Sequence, residues 1–409
     1  MGIHHPPHGP LLLTGATGFL GMELLARYLE RTERTIYALV RAGDDAEAMA
    51  RLRRAAATVV PDPDRYENRL IAIRGDVALP GLGIDDRVRD ELAEAITEIV
   101  HAAASVEFTL PLAGARAINA DGTRQLLELA ERCAQRGSGL RRFSHVSTAY
   151  VAGTHRGEFA EDQLDRGQDF RNTYEQTKWE AERLLHAHFG HLPIQIFRPS
   201  VVVGERGSGW TPAFNVIYGP LRAFAKGATL PVMPALRASP VDVVPVDYVA
   251  DAIFELSGRA DGAGTTYTLA AGERASCVGE LLDLSAAAFE RRRLRALPPV
   301  LYPRTVHRLL LRRTSGARRR RLERMDVFLP YFALHVRFGT ERATAALAPV
   351  GIVPTPLPDY FDRLVDYAVA AEWGRTPMSR VAAARRSAAE RPAVPEAVAE
   401  PVVLVRGGA

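Results

Sequence analysis

The run Leu11-Leu12-Leu13, followed by Thr14-Gly15-Ala16-Thr17-Gly18-Phe19-Leu20-Gly21, constrains this chain more than any other stretch. Three apolar residues bounded by Pro10 and Thr14-Gly15 read as a buried strand, too short for the periodic pattern of a helix. An amphipathic stretch from Phe19 to Glu30 comes next, then a second apolar strand from Thr35 to Val40. Strand, glycine turn, helix and strand open a parallel βαβ sheet. Glycines at 15, 18 and 21 let the backbone turn tightly. They also let a diphosphate approach the amides at the helix N-terminus, where the dipole favours negative charge. A lone glycine pattern is weak evidence, but here it stands between the first strand and the first helix, where a dinucleotide needs it.

The alternation continues along the chain. Leu70–Arg74, Glu98–Ala103, Arg142–Ser147 and Gln195–Arg198 read as apolar strands with helical stretches between them, and Thr265–Ala270 as a late strand returning to the sheet. The expected fold is α/β: a doubly wound parallel Rossmann sheet with a smaller, mostly helical C-terminal substrate domain. Residues 9–204 with about 241–275 are assigned to the first domain, and 205–240 with 276–377 to the second. From about Met378 the chain becomes Ala/Arg/Pro/Val-rich and aperiodic, which reads as a disordered tail over 378–409.

Composition removes other classes. With 409 residues, 47% of them hydrophobic and 24% charged, the chain can bury a full core, so a disordered or fibrous protein is excluded over most of its length. No run approaches the ~18 consecutive apolar residues of a membrane span, and Met1–Pro10 lacks the basic start and apolar core of a signal peptide. A cytoplasmic location is expected. Cys133 and Cys277, far apart, supply neither a disulfide framework nor metal-ligand spacing, so no metal is expected.

Only two of the 52 basic residues are lysines, Lys178 and Lys226. Lys178 closes Tyr174-Glu175-Gln176-Thr177-Lys178 at the start of a helix, and a spacing of four puts the phenol and the amine on one face. A phenol ionises near pH ~10, and a neighbouring ammonium is expected to bring it towards the working range. A compact ammonium can bridge a ribose diol and the phenol where a flat guanidinium would not fit. The strand Arg142–Ser147 ends in Ser147-Thr148-Ala149-Tyr150 at the carboxyl edge of the sheet. There a hydroxyl could form an oxyanion site with Tyr174, Thr148 being the first choice and Ser147 the second. After the second strand stands Arg41, where NAD sites commonly carry a carboxylate; a guanidinium suits a 2′-phosphate and favours NADPH, while Asp44 and Asp45 nearby keep NADH as the lesser option. Asp76, beside Val77 after the third strand, could receive an adenine amino group or cap a turn.

These residues resemble the extended short-chain dehydrogenase/reductase superfamily: the glycine turn at 14–21, the hydroxyls at 147–148, and YEQTK at 174–178. The chain is more specifically similar to the thioester reductase and fatty acyl-CoA reductase branch, through His101–Phe108, Asn119–Thr123, Ser147–Gly153, Phe197–Gly204 and Val243–Asp251. The resemblance covers roughly residues 10–275; Tyr331-Phe332 and the stretch from Tyr360 to Arg375 look like a divergent C-terminal part of acyl-CoA reductases. It implies that Thr148, Tyr174 and Lys178 are catalytic and that Asn119 supports the lysine through water. It implies a cofactor site at Thr14, Gly15, Thr17, Gly18, Phe19, Leu20, Gly21, Arg41, Asp76 and Val77, continuing through Ala102, Ala103, Ala104, Tyr174, Lys178, Pro199, Ser200 and Val201. The expected reaction is NADPH-dependent reduction of an acyl thioester, on coenzyme A or an acyl carrier protein, to aldehyde and further to alcohol. With no adenylation or carrier segment in this sequence, the thioester is expected to arrive ready-made. The alternative is an NAD(P)-dependent dehydrogenase, reductase or epimerase acting on a sterol-like alcohol, a ketone or a sugar nucleotide.

The net charge of +4 conceals one basic segment. Residues 291–325 hold thirteen arginines against Glu323 alone, a local balance of +12, which leaves the rest of the chain at −8. A general nucleic-acid binder is therefore not expected. The segment reads in three ways: a basic surface in peripheral contact with anionic lipid, a patch for an acidic carrier protein or the phosphates of coenzyme A, or a solvated loop.

Overall fold

This structure, a computed structural model, describes residues 9–227, 229, 232–298, 316 and 329–389. Seven parallel strands form one sheet: β1 (Leu11–Thr14), β2 (Ile36–Val40), β3 (Leu70–Arg74), β4 (Glu98–His101), β5 (Arg142–Val146), β6 (Ile194–Pro199) and β7 (Thr265–Leu269). Their order is β7-β6-β5-β4-β1-β2-β3, so the winding reverses between β1 and β4 and opens a crevice at the carboxyl ends of those strands.

The three leucines of β1 show why the short apolar run had to be a strand. Leu11 and Leu13 enter one core layer and Leu12 the other, as period-two alternation requires of a strand buried on both faces. The first layer is built with helices α1 (Phe19–Arg31), α2 (Asp45–Val59) and α6 (Val246–Gly258), through Leu24, Leu25, Leu52, Val249 and Ile253. The second uses α3 (Asp86–Ala95), α4 (Gly122–Gln135) and α5 (Thr173–His186), through Leu92, Leu126, Leu129 and Leu185. Helix α2 starts where Asp44 accepts from the Glu47 amide at 2.7 Å, and α5 where Asn172 accepts from the Glu175 amide at 3.0 Å.

Helices Tyr218–Ala225, Val278–Ala288 and Phe361–Ala370 close a separate core around Leu221, Leu281, Phe361 and Leu364 against Val203 and Val243. Two expectations need correction. The segment from 336 to 347, assigned to the substrate domain, packs on the Rossmann layer instead. Its strand Val336–Phe338 pairs with Gly157–Phe159, and Ala343 and Leu347 sit in the first core layer. The tail expected to be disordered from 378 begins as a helix, Arg380–Ala389. Its alanines favour helix, and it is tied down at several points. The Trp210 indole donates to Met378 O at 3.0 Å, Arg380 reaches Glu23 at 3.3 Å and Glu30 at 3.2 Å, and Ser387 donates to Gly207 O at 3.0 Å. Residues 390–409 lie outside the described residues.

Candidate active site

The glycine turn is shaped by contacts that leave no room for side chains. Gly15 adopts φ +77°, and a Cβ there would lie 2.7 Å from the Ala102 carbonyl carbon and the Ala103 nitrogen. A Cβ on Gly21 would meet Gly15 O at 1.9 Å. Gly18 is different: exposed at the N-terminus of α1, its nearest neighbour would be Gly15 O at 3.2 Å. Two glycines thus let strand, turn and helix pack, and the third keeps the helix N-terminus open to a ligand. This cradle, with Ala102 and Ala103 held to Thr14 through their amides (both 3.2 Å), fits the diphosphate of a dinucleotide.

At the end of β2 Arg41 is exposed, and among the described residues no carboxylate pairs with it. The nearby acids are engaged elsewhere. Asp44 caps α2, and Asp45 pairs with Arg74 at 3.3 Å. Asp76 accepts from the Ala78 amide at 3.0 Å, while buried Val77 packs near Gly122.

Across the crevice, the Thr148 side chain lies close enough to the Tyr174 hydroxyl to favour its ionised form. Thr148 Oγ1 also accepts from the Tyr150 amide at 3.2 Å and lies 3.4 Å from Pro199 O. Of the two candidate hydroxyls, Thr148 is the one that acts on the phenol, while Ser147 Oγ is buried with no partner among the described residues. The expected lowering of the phenol is not found. Burial, its largest cause, pushes Tyr174 up to about 12; the Thr148 side chain works against this, and the Glu175 charge adds to the rise. Lys178, 1% exposed, is drawn down to about 7 by burial, with the Glu182 carboxylate opposing. Its Nζ donates to Val146 O at 2.7 Å and lies 3.0 Å from His145 Nε2.

Among the described residues no direct hydrogen bond joins Asn119 to Lys178. Its amide nitrogen donates to Ser105 O at 3.1 Å and to Thr177 Oγ1 at 3.0 Å, and its oxygen accepts from the Ser105 amide at 2.8 Å. It ties the loop after β4 to α5, one residue before the lysine.

Several residues escaped the sequence reading. His145 is one. Another group surrounds Glu175, a fully buried carboxylate next to the catalytic candidate Tyr174. It accepts from the Arg171 amide at 2.9 Å and from the Tyr331 hydroxyl at 2.6 Å, and that hydroxyl accepts from Asn172 Nδ2 at 2.6 Å. The Asn172-x-x-Glu175 spacing resembles a capping box and is visible in the sequence, although the carboxylate takes the Arg171 amide and not that of Asn172; the long-range partner Tyr331 is not visible there. Phe108 stacks between Tyr174 (5.8 Å) and Tyr331 (5.6 Å). Tyr331→Phe removes a donor from a buried carboxylate, so urea unfolding should show a loss of about 1–3 kcal/mol.

Beyond Tyr150 and Tyr331 opens a pocket with an apolar wall that includes Val201, Phe224, Met233, Leu281, Leu282 and Phe332. Two of its polar members are satisfied internally: Ser285 donates to Leu281 O at 2.6 Å, and Asp242 accepts from the Ala271 and Gly272 amides at 2.8 and 3.0 Å.

Of the arginine segment, 291–298 is described. Arg293 pairs with Asp283 at 2.7 Å, and Arg295–Leu297 forms a strand beside Val232–Pro234. Apart from Gly316, the rest of 291–325, including Arg318–Arg321, lies outside the described residues. No described helix is long and apolar enough to cross a membrane, and no described group of three or more His, Cys, Asp or Glu could hold a metal ion.

A doubly wound sheet with this glycine cradle on one side of the crevice and a hydroxyl, a phenol and a lysine on the other defines an extended short-chain dehydrogenase/reductase. Residues 13–253 match the family of NAD-binding domains described as male sterility protein, and the chain belongs to that family. A nicotinamide dinucleotide is therefore its cofactor class. It is 34% identical over 249 residues to isonitrile lipopeptide synthase of Streptomyces coeruleorubidus, covering 60% of this chain and 16% of that protein. It is 30% identical over 284 residues to fatty acyl-CoA reductase wat of Drosophila melanogaster, covering 60% of this chain and 53% of that one. The chain thus spans between a sixth and about half of these relatives. The terminal R domain of the myxalamid PKS-NRPS pathway superposes with a TM-score of 0.77 at 27% identity, covering 91% of this chain and 93% of the other.

Proposed function

We propose that this protein reduces an acyl thioester with NADPH. The observation that carries the reading is the place of Thr148 and Tyr174 beside an apolar pocket that suits an acyl chain: Thr148 accepts from the amide of Tyr150, Tyr174 reaches Tyr331 through Phe108, and both Tyr150 and Tyr331 line the pocket. The similarity to a terminal R domain and to a fatty acyl-CoA reductase supports it.

Bound at the cradle, the reduced nicotinamide would supply the hydride for the thioester carbonyl carbon. The Thr148 and Tyr174 hydroxyls donate to the carbonyl oxygen as it gains charge. Because burial keeps the Tyr174 phenol protonated at neutral pH, it is ready as a donor without prior uptake of a proton. Tyr174 then protonates that oxygen, giving a hemithioacetal; its collapse breaks the C–S bond and leaves an aldehyde and a thiol. Lys178 holds the ribose hydroxyls and Asn119 braces the loop beside it. A second reduction, to the alcohol, would use the same donors. The thioester would come from coenzyme A or a carrier protein.

NADPH rather than NADH is favoured by Arg41, which is exposed at the end of β2 with no carboxylate paired to it among the described residues, while Asp44 and Asp45 are bound elsewhere. Arg41→Ser should lower the preference for NADPH over NADH by about tenfold, read from the two kcat/KM values; an unchanged ratio would place the discrimination elsewhere.

The reaction is tested with a panel of acyl-CoA and acyl-carrier thioesters, ketones, sterol-like alcohols and sugar nucleotides, following cofactor oxidation and identifying products. Aldehyde or alcohol from thioesters supports the reading. Turnover of a ketone, sterol or sugar nucleotide with none of any thioester would select the alternative.

A further inference from the structure

The carboxyl ends of three adjacent strands carry a polar row. Thr14 on β1 is in register with His101 on β4, and His101 with His145 on β5. All three are 1% exposed or less, on the face covered by α4 and α5. The proton on His101 can be placed by following its partners. Thr123 Oγ1 gives its hydrogen to Asn119 O at 2.7 Å, so towards His101 Nε2, 3.3 Å away, it can only accept. His101 Nδ1 is then the acceptor, and Thr14 Oγ1 donates to it at 2.8 Å. Both hydroxyls hold this ring.

His145 has no such support. Its ring lies 5.1 Å from that of His101, its Nδ1 has no hydrogen-bond partner among the described residues, and its Nε2 meets Lys178 Nζ at 3.0 Å. An apolar side chain would fill this core position without a polar cost. What the imidazole adds is its contact with the lysine. An ammonium has three donors, and Val146 O takes one of them at 2.7 Å.

We propose that His145 is a positioning residue for Lys178: its Nε2 accepts a second hydrogen from the ammonium, fixing Nζ against β5 and leaving one donor for the ligand. Asn119 bonds Ser105 and Thr177 directly, and the direct partners of Lys178 are His145 and Val146. The inference rests on the reading of Lys178 as a ligand-holding residue but not on the identity of the substrate. The charged or titratable groups facing the pair are His101 from β4 and Glu182 from α5, the latter paired with Arg198 of β6 at 2.6 Å; Glu175 faces Tyr174 at the start of α5. Burial holds both histidines neutral.

The direct test is the tautomer of His145, read by long-range ¹⁵N correlation at about pH 6, below the lowered range of Lys178, where the lysine is charged. An Nδ1–H ring with a bare Nε2 is expected. An Nε2–H ring overturns the proposal, because it cannot accept from an ammonium. Fluorescence titration with NADPH adds a second readout. His145→Leu should weaken binding by about tenfold, and His145→Gln, whose amide oxygen can accept, should restore most of it. A His145→Leu protein that melts like wild type and binds NADPH equally well would also overturn it. Failure of every thioester in the panel would leave both readouts interpretable, so the two readings fail separately.

Discussion

Tyr174→Phe is expected to lower thioester turnover by about 10²–10⁴-fold while NADPH binds as before. The phenyl ring keeps its stacking on Phe108, so the pocket wall is preserved and only the hydroxyl is lost. Thr148 alone would then face the oxyanion, without the group that delivers the proton. Its own removal, in Thr148→Val, should cost less, since the phenol remains. Stopped-flow measurement of a single turnover with NADPH already bound separates chemistry from binding. Full activity in Tyr174→Phe would remove the residue from the mechanism.

The second large effect distinguishes two glycines that look alike in sequence. Gly21→Ala would drive a Cβ to 1.9 Å from Gly15 O, against backbone that cannot swing aside. About 3 kcal/mol or more should be lost, seen as a lower melting temperature or a failure to accumulate folded protein. Gly18→Ala meets nothing closer than 3.2 Å and lies at an exposed helix N-terminus. It should melt near wild type yet bind NADPH more weakly, because the added methyl occupies the approach to the amides. Equal melting of the two variants would refute the division of roles between packing and ligand access.

The part of the site visible in the sequence is the part built from neighbours. The glycine turn, the Tyr174–Lys178 spacing and the hydroxyls at the end of β5 each lie within a few residues, and helix and strand periodicity is enough to place them. Arg41 and the cap Asp44 follow the same logic, although that Asp44 is spent on the α2 amides became clear only from the hydrogen bond itself. The tail shows the opposite case. Composition made 378 onward read as disordered, but Arg380 finds Glu23 and Glu30, more than 300 residues away in sequence, and Met378 O takes the indole hydrogen of Trp210. No local pattern carries such a partner.

The ionisation of the site divides in the same way. A lysine four residues from a tyrosine suggested a lowered phenol; enclosure of both side chains raised the phenol and lowered the amine, since removing water penalises whichever form is charged.

What the sequence determined by itself was the doubly wound sheet, the glycine cradle and the Tyr174–Lys178 spacing, because period-two strands, a glycine turn and a one-turn helical spacing are short-range consequences of backbone geometry. What tertiary structure decided was the set of partners: His145 under Lys178, Tyr331 on Glu175, and the apolar pocket assembled from chain segments between Tyr150 and Leu334. Those depend on strand order and packing, which bring residues of distant chain positions to the same depth at one edge of the sheet.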